Sequence, residues 1–345
     1  MSRRSLLQGI AALSALAVLP ARARAQEADQ SPILTYFRIG AGVAGSTLYD
    51  LAGLVAGAIS NPPGSRDCDK GGSCGVPNLI GLAQTTAGSV ENLKDLRDGT
   101  LESGLVQADS ADFAFRGADP FKEAGADADL RAIAVVGSLM LHVIVPKGSP
   151  AKAVGDLKGK RINLGLKEGG TAVTARLVLN SYGLGDKKYK ASFDDFKTAA
   201  GNLENGKLDA MMSVDGIGSD DIKELARRVD IALLPVEGQP VVKLLKDAAY
   251  ITAQTIPGDA YRNIASTPSI AIPTLWAVSA KLDAQLAFDL TKSIWHDAQQ
   301  QAAAGNPADA LRLRLAPNGV TLPLHPGAQK FYDENKELVT TPSTN

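Results

Sequence analysis

The sequence predicts an α/β fold built on a mostly parallel sheet. Two observations carry that reading. Short apolar, strand-like segments alternate with segments of helical period along most of the chain. Small, hydroxyl-bearing or Gly residues stand where a strand gives way to a helix: Gly45-Ser46-Thr47, Thr86-Ala87-Gly88-Ser89, Glu168-Gly169-Gly170-Thr171 and Gly216-Ile217-Gly218-Ser219. A length of 345 residues fits roughly two domains at ~150 residues each. Hydrophobic residues make up 45%, charged residues 21% and aromatics 5%, the balance of a globular chain rather than a disordered or fibrous one.

The elements follow in order. Ile33 to Ile39 reads as a strand, and Thr47 to Ile59 as a helix with apolar residues at helical spacing. Asn61 to Asn78 is rich in Gly, Pro, Asp and Cys and reads as a loop. Leu79 to Gln84 is a strand, Ser89 to Asp98 a helix with a hydroxyl at an N-cap position, and Leu105 to Ala108 a short strand. Leu130 to Val145 is long, apolar and strand-rich. A second series has strands at Lys160 to Leu164, Ala210 to Val214 and Ile231 to Pro235. Its helices lie at Thr171 to Tyr182, Asp194 to Leu203 and Ser219 to Val229. Ile270 to Ser279 is a further strand in which Pro273 predicts an edge or a bulge. A long helix from Ala284 to Ala304 ends near Gly305, and a Pro-rich tail finishes the chain. No internal repeat is present.

Residues 1 to 25 read as an export signal and stand apart from the fold. Arg3 and Arg4 precede a mildly apolar stretch, Leu6 to Leu19, and Ala23-Arg24-Ala25 offers small residues for cleavage before Gln26. Ser2-Arg3-Arg4-Ser5-Leu6-Leu7 resembles a twin-arginine signal, although two arginines also occur by chance in ordinary signals. Cleavage would remove four Arg and no acid, changing the net charge from -1 to -5 and delivering a periplasmic protein. No block of like charge points to nucleic acid.

Each motif has a competing reading. Gly40-Ala41-Gly42-Val43-Ala44-Gly45 spells GxGxxG, but the acid a dinucleotide site needs about 20 residues on falls in the Asp67/Asp69 loop, with no strand before it. What survives is a backbone able to approach a ligand, with free N–H groups at a helix start that favour an anion. Gly71-Gly72-Ser73-Cys74-Gly75 spells GxSxG inside a polar loop, without the strand and helix of a nucleophile elbow. Cys68 and Cys74 share that loop and are expected to form a disulfide. They lack the partners of a zinc site in sequence. His142, His296 and His325 have no ligand spacing among them, and His142, in an apolar strand, reads as a hydrogen-bonded structural residue. Neither a metal nor a cofactor is expected. Four Gly- and hydroxyl-rich helix starts in a chain without catalytic machinery predict a binding protein, since ligands of open α/β sheets sit beyond the carboxyl ends of the strands.

The stretches FRIGAGVAGSTLYDLAG (Phe37 to Gly53), TAGSVENLKDL (Thr86 to Leu96), GLVQADSADFAFRG (Gly104 to Gly117), DLKGKRINLG (Asp156 to Gly165) with GGTAVTARLVL, and LPLHPGAQKFY near the end carry a resemblance. From about Tyr36 to Tyr332 the chain resembles the TAXI-type solute receptors of TRAP transporters. The resemblance implies a two-lobed periplasmic-binding fold of type II, with residues 32 to 142 plus 276 to 345 in lobe I, 143 to 275 in lobe II, and the ligand in the cleft between them. It also implies a small organic anion as ligand, such as a glutamate-like amino acid or a dicarboxylate, and an ion-gradient-driven TRAP permease in the membrane as partner.

Matched loop by loop, the resemblance assigns Gly45, Ser46, Thr47 and Tyr49 to the first ligand loop, Ser89 to the second and Gln107 to the third. Gly170 and Thr171 take the lobe II loop, and Gly216 the last. Leu48 replaces an aromatic usual in similar receptors. Lys167 could pair with a ligand carboxylate or simply be solvated. Two alternatives stand beside this reading: a binding protein for an ATP-driven importer or a sensor kinase, and an exported hydrolase using Ser73.

Overall fold

The computed structural model describes residues 33–303 and 321–336. The expected export signal and the helix end near Gly305 lie outside them. The elements are β1 (Thr35–Gly40), α1 (Thr47–Ile59), β2 (Ser60–Asn61), β3 (Val76–Pro77), β4 (Leu79–Gln84), α2 (Ser89–Asp98), β5 (Ser103–Gln107), α3 (Ala108–Arg116), β6 (Leu130–Pro146), β7 (Arg161–Asn163) and α4 (Gly170–Ser181). There follow β8 (Lys190–Ser192), α5 (Phe196–Glu204), β9 (Ala210–Asp215), α6 (Asp220–Arg228), β10 (Ile231–Leu233), α7 (Gln239–Asp247), β11 (Thr252–Ile256), β12 (Thr267–Ser279), α8 (Ala284–Ala303) and α9 (Pro326–Glu334).

The strands run in one path, β3-β2-β4-β1-β5-β12-β6-β9-β7-β8, with β10 added on β6 and β11 on β12. It contains two parallel sets: β1 between β4 and β5, and β7 between β8 and β9. Two long strands tie them together. β6 pairs with β12 over its first part, then with β9 and β10. β12 pairs with β11 at Thr267 to Ala271 and with β5 at Thr274 to Val278. This is the two-lobed type II periplasmic-binding architecture, with two passages of the chain between strand sets. The expected lobe boundaries, 142/143 and 275/276, fall inside β6 and β12.

The sheet is mixed rather than mostly parallel, which corrects the sequence reading. Every pairing that β6 and β12 make with another named strand is antiparallel, because a strand that leaves one set for the other runs against the strands it meets. Pro273, expected at an edge or a bulge, lies in the middle of the sheet beside an irregularity of the bulge kind. It sits where β12 changes partner from β11 to β5, and a register shift follows at Thr274/Leu275. A residue without an N–H is tolerated at such a handover because fewer ladder bonds are demanded of it. The Pro-rich tail contains α9, whose first turn begins at Pro326 and whose N-cap is His325, accepting from the Gly327 N–H. α3, α7, β8 and β11 also had no counterpart in the sequence reading.

Local chemistry explains the elements that position the site. In α1, Ser46 caps the helix by accepting from the Tyr49 N–H, and Leu48, Ala52, Val55, Ala56 and Ile59 form its buried face. α2 ends at Gly99, whose left-handed φ of 73° lets its N–H reach the Asp95 and Leu96 carbonyls. Trp276 of β12 is fully buried and meets Phe37 of β1 edge to face, tying the crossing strand into the first set.

Candidate ligand-binding site

The first strand set contributes three loops, and Asn92 holds them in place. Its amide donates to the Ala41 and Leu105 carbonyls, both at 2.8 Å, while its carbonyl accepts from the Thr86 hydroxyl. Asn92 is buried, so leaving any of these groups unpaired would be costly. Gly40 has no room for a side chain because a Cβ would lie 2.5 Å from Asn92 Oδ1. On this frame Ser89 Oγ accepts from the Gln107 N–H at 3.0 Å, and Gln107 Nε2 donates to Thr174 Oγ1.

The second set contributes the start of α4, the end of β9 and the start of α6. Thr171 Oγ1 accepts from the Val214 N–H, joining α4 to β9. At the end of β9, Asp215 accepts from the Gly216 N–H and from the Ser219 hydroxyl. Behind it lies His142, as the sequence suggests a hydrogen-bonded structural residue: its ring contacts the Met140 carbonyl through Nδ1 and the Tyr261 hydroxyl through Nε2.

Between these groups lies a cavity of about 360 Å³, beyond the carboxyl ends of β5, β7 and β9. Of the residues predicted for the site, Ser46, Ser89, Gln107, Gly170 and Thr171 line it. Gly45, Thr47, Tyr49, Lys167 and Gly216 are not among its lining residues. Thr47 and Gly216 instead meet each other at its edge, where the Gly216 N–H donates to Thr47 Oγ1 at 3.2 Å. Lys167 is exposed, and its neighbour Glu168 makes the contacts: its carbonyl accepts from the Val90 and Glu91 N–H groups, and its carboxylate pairs with Lys94 at 2.6 Å.

Two of the helix starts expected to hold an anion are occupied by the protein's own oxygens. The α2 start faces the Glu168 carbonyl, and the first N–H of α1, that of Thr47, donates to the Asp215 carboxylate at 3.1 Å. α4 starts at Gly169-Gly170 without a side-chain cap. The lining also holds residues that the sequence reading left out: Asn163, Met211, Met212 and the acids Asp195, Asp215 and Asp221. Asp215 ends a strand just before Gly216-Ile217-Gly218-Ser219, so an acid flanking a Gly-rich helix start was the available signal.

The remaining motifs resolve plainly. Cys68 and Cys74 form a disulfide, as expected. The fold brings His296 Nε2 of α8 to 3.6 Å from Cys68 Sγ, a meeting across 228 residues that sequence spacing does not show. Ser73 donates its hydroxyl to the Ser60 carbonyl and accepts from the Gly75 N–H, so its oxygen is engaged by backbone rather than by a base. Among the described residues no helix is long and apolar enough to cross a membrane.

Solved structures share this fold at low identity. PhnD1 from Prochlorococcus marinus, in complex with methylphosphonate, aligns with a TM-score of 0.50 and 13% identity over 80% of this chain and 89% of that one. The alkanesulfonate-binding protein SsuA from Xanthomonas axonopodis pv. citri, bound to MOPS, gives 0.46 and 17% over 88% and 85%. An L-cystine ABC transporter protein from Listeria monocytogenes gives 0.48 and 10% over 81% and 96%. At the level of sequence, a family model spans residues 39–335, from β1 to the end of α9, and by that match the chain belongs to the NMT1-like family.

Proposed function

We propose that this protein is an exported solute-binding receptor that captures a small organic acid between two lobes and hands it to a membrane permease. The observation that carries the reading is the cavity itself. It lies beyond the strand ends, between strand sets that, among the described residues, the chain links through β6 and β12, and Ser46, Ser89, Gln107, Gly170 and Thr171 supply hydroxyls, an amide and backbone N–H groups to it. The lobes are residues 32 to 142 plus 276 to 345 and residues 143 to 275, closing by a hinge in the two crossing strands. The reading assigns no catalysis, in keeping with Ser73 lying engaged by backbone. Export rests on the signal-like first 25 residues, and delivery to the periplasm follows from it.

Two permease types are open to such a receptor. Two solved proteins similar to this chain carry ABC transporters in their names, and the first reading is an ATP-driven importer. The motif resemblance supports an ion-gradient-driven TRAP permease as the second. Co-purification of the receptor with each membrane component of its source separates them.

The experiment for the receptor reading is a thermal-shift screen of protein that has been unfolded and refolded to strip carried ligand. Amino acids, dicarboxylates, keto acids and aromatic acids form the screen. A solute at 100 times its Kd stabilises by about 2.7 kcal/mol. No shift from any class would overturn the reading.

A further inference from the structure

We propose that Cys68, Cys74 and His296 form a second, redox-gated site. Reduction of the disulfide opens a place for one Cu(I) ion, held by the two thiolates and the imidazole. The site stands apart from the solute cavity, since the two linings share no residue.

Cys68 and Cys74 lie in the segment between β2 and β3, and His296 lies on α8. Each offers one ligand atom, and these atoms lie within 4.8 Å of one another. His296 Nε2 stands 3.6 Å from Cys68 Sγ. Its other ring nitrogen, Nδ1, is buried and has no hydrogen-bond partner among the described residues, so no polar network accounts for the place of the ring.

The donor set selects the ion. Thiolates and imidazole suit soft and borderline ions, Cu(I) and Zn(II) among them. A structural Zn(II) takes four ligands. Among the described residues this group ends at three donors, which fill the shell of a monovalent d10 ion. Asp67 lines the same pocket but pairs with Lys70 at 2.6 Å. Charge fits as well. Two thiolates and one monovalent ion leave a single negative charge, and Arg66 and Lys292 line the pocket around it.

A dithiol reductant balances the chemistry. Its thiolate attacks one sulfur of the Cys68–Cys74 bond, which breaks through a mixed disulfide. The reductant leaves as its own disulfide, having given two electrons and two protons. Cu(I) then displaces the two thiol protons. Cys68 and Cys74 are half-buried and line a pocket of about 450 Å³, so a small dithiol reaches them. Their Cα atoms are 4.7 Å apart, which keeps both sulfurs within reach of one ion once the bond opens. While the disulfide stands there are no thiolates, and the ion has no hold.

The test uses the chain reduced with dithiothreitol, freed of it by gel filtration without oxygen, and Cu(I) presented on bicinchoninate. The reduced protein should withdraw one equivalent of copper from the chelator, and the oxidised protein none. A folded His296→Ala protein should hold the ion about tenfold or more less tightly. X-ray absorption at the copper edge of the reduced wild type should show two sulfur neighbours and one nitrogen, a readout that needs no variant. Equal retention by the oxidised chain, unchanged affinity in His296→Ala, or a shell of sulfur alone would each overturn the inference and leave the receptor reading standing.

Discussion

Gly170 leaves no space for a side chain. A Cβ there would overlap Gln107 Oε1 and lie 2.6 Å from Ser89 Oγ, two groups of the opposite strand set. Gly170→Ala should therefore hold the sets apart without unfolding either. Overpacking of this kind costs about 1–3 kcal/mol. The expected outcome is a retained cooperative melt with affinity lowered by about tenfold or more, read by titration; full affinity would contradict the close approach. Asp109 is the second telling residue. It is fully buried where α3 meets α4, with Thr174 and Ser110 donating to it, and burial pushes its carboxyl up to about 6. An acid raised in the folded state adds stability as pH falls through that value and loses it as pH rises through it. Between pH 7 and pH 4 the wild type should gain about 2 kcal/mol relative to Asp109→Asn. His142 works the other way, because a depressed His loses stability as pH falls from about 6.5 toward 4. Urea melts of both proteins across that range check the difference, which isolates Asp109.

At the scale of elements, the segment between β2 and β3 is held at two points. The Cys68–Cys74 disulfide closes a short ring, and His296 of α8 meets Cys68. A ring of that size restricts the unfolded chain by about 2 kcal/mol in the chain-entropy account. The Cys68→Ser/Cys74→Ser protein should lose about that much stability in urea melts. Its ligand affinity should stay within twofold, because the residues around the disulfide and the lining of the cavity between the strand sets have no member in common. A large fall in affinity would mean that this loop reports to the ligand. The helix starts show a related economy. Asp215 sits at the start of α1 and the Glu168 carbonyl at the start of α2, so these termini bind the opposite strand set rather than a free solute.

For the molecule as a whole, those same bonds make closure testable. The contacts between sets include Thr47 to Asp215, Glu168 to the α2 start, Lys94 to Glu168 and Gln107 to Thr174. They would separate together if the lobes swing apart about β6 and β12. Small-angle scattering of stripped protein should give a larger radius of gyration than the same protein saturated with the solute found in the screen. Identical values at full occupancy would argue against a hinge between the sets. The Lys94–Glu168 pair is half exposed on both sides and contributes at most about 1 kcal/mol, so its loss alone should not open the molecule.

The sequence by itself determined the alternation of elements and the bounds of α1, β4 and α2, because there period, caps and Gly stops agree within a few residues of one another. The loop-by-loop resemblance named Ser46, Ser89, Gln107, Gly170 and Thr171, which line the cavity, and the shared loop pointed to the Cys68–Cys74 bridge, a local signal. α3, α7 and β11 were hidden because their residues are polar or lack caps, and they form through what they pack or pair against; β11, for example, exists as the partner of Thr267 to Ala271. The mixed sheet and the place of Pro273 follow from how β6 and β12 run between sets, which one chain segment cannot announce. Only the tertiary structure decided which acids line the cavity and that His296 stands beside Cys68. Asp215 and Asp221 look like ordinary acids in sequence, and 228 residues separate His296 from Cys68. Packing between segments far apart in the chain makes these meetings, and local signals do not record it.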